Sequence, residues 1–505
     1  MKKIYNYLIG ALVATGMLCS CNNFDELNTN PDSPTTVTPE MLATKLILGT
    51  TSPSTSKAFF NSNFLVKQLA WGEGVVDYQY NKMGRSGFGG YTGLVNGVKM
   101  VELAADNNPN AFQALNKFVK AFTIFYISME MGDVPYSDAL QGEVGNITPK
   151  YDSQKDVMLQ VLDDLEEAYT LFGQAKNFDG DPVLGGDVSK WQKTVASFEL
   201  KVLMNLSRVA DDADLRVKER FAAIVSNKKL MESNEDNYQL VFSEKKGQRY
   251  PMYKDDFNYN MYPMLSTMIV DVMKQNQDYR LFYIAEPSDA KVKEGIDASS
   301  WDAYIGVNPS LPFHEISEMY SSDNFCNLNL RYKNNAAGEP FITVGYADQC
   351  FILAEAAVRG WISGSADTYY KKGIEASMRF IADHTPENYA HGRVLTDEVI
   401  AEFLQNPAIQ LTNGEADGLE MILTQRYLAW FLHSPWNSYY EYRRTGYPKL
   451  PINPETSLNE VKTELPQRWM YPESESQYNK ANLQEALERQ FNGSDDRNKK
   501  MWILQ

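Results

Sequence analysis

Apolar residues recur every three or four positions through several long stretches of the chain, the spacing of one helix face. From 112 to 129 the face is Phe112, Leu115, Phe118, Val119, Phe122, Phe125, Tyr126 and Met129. Ser153, with Asp156 three residues on, predicts the opening of a second helix, striped by Val157, Val161, Leu162, Leu165, Ala168 and Phe172. Ser189 with Gln192 predicts a third, its face formed by Trp191, Val195, Phe198, Val202, Leu206 and Val209. Thr38-Pro39 reads as the cap and first residue of a helix through 48. Helices return over 346–359 and 366–381, joined by residues 360–365. That hairpin is close to the tetratricopeptide period, although its sequence pattern is only partial. Another helix is predicted over about 419–432.

Elsewhere the helical period fails. Residues 240–340 are dense in aromatics and punctuated by Pro251, Pro263, Pro287, Pro309, Pro312 and Pro340. They predict a large insertion of loops, short helices and a few short strands. Residues 81–97 are rich in glycine, and Gly84 to Gly90 reads as a flexible surface loop, because it lacks the Gly-Lys-Ser/Thr ending of a phosphate loop. The last 70 residues are rich in Pro and Asn and are expected to wrap the body. The architecture expected is all-α in the main, an array of helix pairs carrying a loop-rich insertion. Such arrays usually present binding surfaces.

The N-terminus reads as a leader over 1–20. Lys2 and Lys3 precede a mostly apolar run from Ile4 to Leu18, too short for a comfortable membrane span. Leu18-Cys19-Ser20-Cys21 resembles a bacterial lipobox, by which Cys21 becomes the lipidated first residue of the mature protein. Residues 21–38 read as a tether and 39–505 as one helical domain. No later segment has 18 consecutive apolar residues, so the membrane is expected to be reached through the lipid alone.

Composition then narrows the chemistry. The 505 residues are 43% hydrophobic and 22% charged, ordinary for a folded chain. A net charge of -17 argues against nucleic acid, since phosphate contact needs clustered Lys and Arg. Beyond the leader only Cys326 and Cys350 remain, so this is no disulfide scaffold, and whether they pair is open. Four histidines, His314, His384, His391 and His433, show no metal-ligand spacing. No nucleophile elbow is present. Asn177-Phe178-Asp179-Gly180-Asp181-Pro182 fails the calcium-loop spacing and reads as a turn-rich connector. No cofactor or metal is therefore expected, and no catalytic residue is assigned. The outlier is aromatic content, with 30 Tyr, 24 Phe and 8 Trp. Trp71, Tyr78 and Tyr80, and then Trp301, Tyr304, Phe313 and Tyr320 in the insertion, are the candidate ligand platforms. Gln79, Asn81, Arg85, Asn308 and Asn324 lie near them in sequence as candidate hydrogen-bonding partners.

Several segments resemble, in order, the SusD/RagB family of outer-membrane lipoproteins. Asn28-Thr29-Asn30-Pro31 is similar to the segment after their anchor, and Gly132-Asp133-Val134-Pro135-Tyr136-Ser137-Asp138-Ala139-Leu140 to their Gly-Asp-x-Pro-Tyr-Ser turn. Gly186-Asp187-Val188-Ser189-Lys190-Trp191 resembles a helix opening of theirs, and Ala354-Glu355-Ala356 their hairpin Ala-Glu. Glu441-Tyr442-Arg443-Arg444-Thr445-Gly446-Tyr447-Pro448 and Arg468-Trp469-Met470-Tyr471-Pro472-x-x-Glu475 resemble their late motifs. These motif residues are read as structural, with Arg443 and Arg444 pairing carboxylates and carbonyls of neighbouring helices. The resemblance implies a tetratricopeptide-like body on the outer face of the outer membrane. It also implies a SusC-like TonB-dependent barrel as partner and an oligosaccharide or oligopeptide as ligand. A surface-anchored glycosidase and a purely structural lid of the barrel are the alternative readings. The acidity disfavours polyanionic ligands.

Overall fold

The computed structural model describes residues 36–412, 414–433 and 435–505. The leader, Cys21, the tether up to residue 35 and the Asn28–Pro31 motif lie outside the described residues. The described residues are 53% helical and 4% strand, as the periodicity predicts. Thirteen α-helices of nine residues or more are present among the described residues. They are α1 (Pro39–Thr51), α2 (Gly89–Leu103), α3 (Pro109–Met131), α4 (Gln154–Gln174), α5 (Val188–Asn205), α6 (Val217–Asn227), α7 (Thr267–Asn276), α8 (Phe313–Ser321), α9 (Tyr346–Val358), α10 (Ala366–Asp383), α11 (Glu415–Ala429), α12 (Pro435–Thr445) and α13 (Lys480–Phe491). Packing runs from neighbour to neighbour, α1 on α2, α2 on α3, α3 on α4 and α4 on α5. Helix α5 then meets α9, which packs against both α10 and α11. This is the helix-pair array expected, bent around one large apolar core.

The caps explain where helices begin. Thr38 Oγ1 accepts from Met41 N at 3.4 Å, and Ser153 Oγ accepts from Asp156 N at 3.2 Å. At α5 the expectation is corrected: Asp187, not Ser189, is the cap, accepting from Ser189 N at 2.8 Å and Lys190 N at 3.3 Å. A carboxylate at the helix start also complements the macrodipole. The preceding connector is held by Asp181, whose carboxylate accepts from Val183 N, Gly186 N and Trp191 Nε1.

The glycine-rich stretch is also corrected in part. Gly89 and Gly90, read as the end of a loop, open α2, and Gly93 and Gly97 follow within the same helix. A Cβ at Gly97 would sit 2.1 Å from Asn116 Oδ1, and one at Gly90 would sit 2.8 Å from Thr123 Cγ2. Glycine is used here to bring α2 close against α3, which outweighs its poor helix propensity.

The family-like motifs join distant segments. Gly132, with φ +105°, ends α3, and Asp133 accepts from Gln154 N at 2.8 Å and from Arg489 Nε at 2.7 Å. Burial still pushes the Asp133 carboxyl up to about 6, against the pull of Arg489. Arg443 donates to the carbonyls of Gln467 (2.6 Å) and Met129 (2.7 Å). Arg444 grips Glu355 with two bonds, at 2.5 and 2.8 Å. Asp348, two turns before Glu355 on α9, takes Lys201 at 2.8 Å and Arg426 at 2.7 Å. Arg426 also pairs with Glu441. The C-terminal segment wraps back as expected: Arg468 reaches the Met131 carbonyl (3.2 Å) and Asp495 (2.8 Å).

Burial alone would raise the Glu355 carboxyl, but Arg444, Arg359 and Arg426 hold it down to about 2. The folded form therefore binds fewer protons than the unfolded chain between the ordinary glutamate range and pH 2. Its stabilising contribution is complete above about pH 4.5 and is lost as pH falls through about 2. Replacing Arg444→Met leaves a buried carboxylate short of its partner and is expected to destabilise the fold by about 3–5 kcal/mol in urea unfolding at pH 7. Glu355→Gln is expected to flatten the acid limb of the stability curve between pH 4.5 and 2.

Candidate functional site

Two short strands build the floor of the insertion. β1 (Leu69–Trp71) and β3 (Pro263–Leu265) pair antiparallel, with Trp71 opposite Pro263. β2 (Tyr238–Leu240) and β4 (Phe341–Val344) form a second, separate pair. Leu265 N donates to Cys326 O at 2.9 Å, and Val307 N to Leu265 O at 2.9 Å, so the loops on either side are tied to the first ribbon. Ala70, Met264, Val307, Ile316 and Phe325 make a satellite core of their own beneath it. The insertion is thus rooted in the main core through Leu69, Trp71, Leu265, Phe282 and Tyr304, with this small apolar cluster added beside the ribbon.

On this platform aromatic rings form an arc. Tyr262 lies 5.1 Å from Trp71 and 6.2 Å from Tyr320 by ring centroid, and Tyr320 stacks on Phe325 at 5.4 Å. Tyr259 joins from the other side, 6.1 Å from Trp71. Tyr259, Tyr262 and Tyr320 are half-buried, each keeping surface open to solvent. Gly72 makes the arrangement possible: Gly72 N donates to Tyr262 O at 3.0 Å, and a Cβ there would meet the Tyr320 ring at 2.3 Å. Burial raises the Tyr320 hydroxyl above the ordinary phenol value, so it stays a neutral donor.

Beside the arc opens a cleft of about 600 Å³, walled by Tyr320, Asn260, Met261, Asn327 and Tyr332. Its charged wall residues are Glu286, Asp289 and Asp323 against Lys333, an acidic balance. Asn327 Nδ2 donates to Met261 O at 3.0 Å and fixes the rim. Asn324 Oδ1, next to this wall in sequence, is buried without a hydrogen-bond partner.

The residues singled out from sequence separate into two groups. Tyr320 is in the arc. Trp71 is fully buried behind it, its Nε1 donating to Glu73 at 3.3 Å and Lys57 Nζ lying 4.4 Å from its ring, so it supports Tyr262 and Tyr259 rather than facing solvent. Tyr304 is fully buried against Phe282 and donates to Ala298 O at 3.0 Å. Tyr80 is buried and donates to Leu311 O at 3.0 Å. Trp301 is half-buried on Phe282, 4.6 Å by centroid, and Phe313 is half-buried at the start of α8. Tyr78 packs edge-on against Trp436, 5.6 Å away.

Gln79 and Asn81 are consumed inside. Gln79 accepts from Trp71 N at 2.9 Å, and Asn81 Oδ1 takes the ammonium of the fully buried Lys67 at 2.7 Å. Burial pushes that ammonium down to about 7. Arg85 stitches the C-terminal segment through Tyr471 O at 2.7 Å and Asp495 at 2.8 Å, and Asn308 caps its own turn at Ser310 N. Cys326 and Cys350 are both buried free thiols, pushed up to about 12 by burial and so unreactive. Tyr259 and Tyr262 were not singled out by sequence reasoning. The alternation Phe257-Asn258-Tyr259-Asn260-Met261-Tyr262, rings interleaved with amides, is the signal that marks them.

A mostly helical scaffold that holds an aromatic arc and a polar cleft on a loop-built platform has the geometry of a ligand-binding surface. The family profile described as "starch-binding associating with outer membrane" matches residues 31–472, and the chain belongs to that SusD-like family. A SusD homologue from Bacteroides fragilis is 56% identical, with a TM-score of 0.91 over 93% of this chain and 100% of that one. A second from the same species is 33% identical, with a TM-score of 0.83 over the same shares. A solved chitin-binding protein is 25% identical, with a TM-score of 0.73 over 92% of this chain and 99% of that one. No curated relative matches the chain. Among the described residues no helix is long and apolar enough to cross a membrane.

Gly72→Ala is expected to push Tyr320 off the ribbon and cost about 1–3 kcal/mol in denaturant unfolding, as overpacked sites do. Gly74→Ala, two residues on with open space around it, is the control and is expected to change stability little.

Proposed function

We propose that this protein captures neutral oligosaccharides on the outer face of the outer membrane and passes them unchanged to a SusC-like TonB-dependent barrel. Lipid on Cys21 would hold the helical body at the membrane, and the barrel would supply the channel that the chain does not build itself. The observation that carries the reading is the Tyr259–Tyr262–Tyr320 arc beside the 600 Å³ cleft. Tyrosine rings stack on the apolar faces of sugars, while Asn260 and Asn327 line a wall able to meet hydroxyls. The carboxylates of Glu286, Asp289 and Asp323 would repel sulfated or uronic polymers. The family description and the chitin-binding neighbour favour a glycan over an oligopeptide. The family description is of binding, and on that ground we assign the site to binding and not to hydrolysis.

Calorimetry with neutral oligosaccharides of the starch and chitin types tests this directly. Tyr320→Ala and Tyr262→Ala are each expected to weaken binding by about tenfold or more, as loss of a stacking ring does at about 1–2 kcal/mol. Trp301→Ala is expected to change it little. Full affinity in both tyrosine variants, or tight binding of a sulfated polymer, would overturn the assignment. Gentle detergent extraction from the native host is expected to bring the barrel along.

A further inference from the structure

A second cavity of about 250 Å³ lies away from the arc, between α1, α3, α12 and β4. Its walls are aromatic: Phe122 and Tyr126 from α3, Trp436 and Tyr440 from α12, and Phe341 from β4, with His433 beside them, whose ring takes Ile342 N at 3.5 Å, faces Glu339 and is held toward the neutral form by burial. Ser52 and Ser54 are exposed at its rim. Within it sits the carboxyl group of Glu130, held from one side by the Ser86 hydroxyl. No lysine, arginine or histidine of the described residues lies within ion-pairing distance of Glu130. The cation felt there is Arg443, which donates to the Gln467 and Met129 carbonyls, lies against the Tyr439 and Tyr440 rings and keeps its Nε unpartnered, and which makes no ion pair with Glu130. Burial raises the Glu130 carboxyl, and the Ser86 hydroxyl and the field of Arg443 offset that only in part.

Two further groups have unused hydrogen-bonding capacity. The Tyr126 hydroxyl donates to Asn437 Oδ1 at 3.2 Å, while Asn437 Nδ2 and Thr343 Oγ1 have no partner. Both residues line this cavity and both are more than nine-tenths buried. The walls are braced from behind by Tyr78 and Trp469, which meet Trp436 edge-on at 5.6 and 4.9 Å. Tyr78 thus acts here, as a support, and not in the arc.

An unpaired carboxylate inside a box of aromatic faces is the chemistry that selects a cation bearing N–H donors. The rings attract the charge through their quadrupoles, and the carboxylate takes the hydrogen bonds. We propose that this cavity is a second binding site, specific for a primary ammonium group on a small polar frame. An amino sugar and the amino end of a peptide both carry that group. The cavity admits one ring or one residue rather than a chain, since it is below the usual range for drug-sized ligands. The site is independent of the oligosaccharide reading of the arc.

Titration of the full folded chain with glucosamine, N-acetylglucosamine, glucose, dialanine and N-acetyl-dialanine decides it, followed by calorimetry or ligand-observed NMR. Each free amine is expected to bind about tenfold or more tighter than its acetylated counterpart. Glu130→Gln, which keeps the side-chain shape, is expected to erase that preference, and Trp436→Leu to weaken amine binding. Tyr320→Ala is expected to leave it untouched, which separates this site from the arc. Preference for glucosamine over dialanine would name the sugar as the source, and the reverse would name the peptide. Equal binding of free and acetylated forms, failure of both amines to bind, or a preference that survives Glu130→Gln would overturn the proposal. Should Glu130→Gln fail to fold, the comparison of free with acetylated ligand on the natural chain decides alone.

Discussion

Buried charge is the constraint on which the helix array depends. Asp348 and Glu355 project from one face of α9, two turns apart, into a space with almost no water. Lys201 from α5, Arg426 from α11 and Arg444 from α12 converge on them. A carboxylate in such a place is costly unless paired and hydrogen-bonded, so each helix must arrive in a register that delivers its cation. Apolar packing alone tolerates sliding and repacking; a two-bond grip such as Arg444 on Glu355 does not. The network therefore fixes how four helices lie, and everything the array carries inherits that position.

What it carries is a platform rooted in the same core through Trp71, Leu265 and Tyr304. The β1–β3 ribbon and its satellite core set Tyr262 and Tyr320 at a fixed spacing, while Trp71 backs them from inside. Rigid support matters because an aromatic face contributes to binding only when little freedom is lost on contact. Gly72 shows how narrow the tolerance is, since one methyl group at that position would occupy the space of the Tyr320 ring. The aromatic box around Glu130 is built by another route. Its walls come from long helices, α3 and α12, and so from the array itself. One protein thus holds two kinds of concave surface, one on loops and one between helices.

The helices were legible because each depends on its own residues. The stripe from Phe112 to Met129 is the buried face of α3, and Ser153 caps α4 as its spacing with Asp156 predicts. Exceptions arose where a neighbour decided. Asp187 displaced Ser189 as the cap of α5 because it is the side chain placed to meet two free N–H groups. Gly89 and Gly90 read as a loop because propensity knows nothing of the helix that Gly90 must approach at Thr123.

The aromatic count announced a binding protein without saying which rings face out. Exposure is not written in a residue or its near neighbours. Trp71, Tyr80 and Tyr304 look like Tyr320 in sequence, yet they lie at 4% exposure or less because distant segments close over them. The motif residues Glu355, Arg443 and Arg444 announced that something pairs, and only the fold brought α9 and α12 together to show what. By itself the sequence determined the helical period, the family and the acidity of the chain, all local or additive properties. Which rings form the arc and which carboxylate stays unpaired was decided by the tertiary structure, because both depend on contacts between residues far apart in the chain.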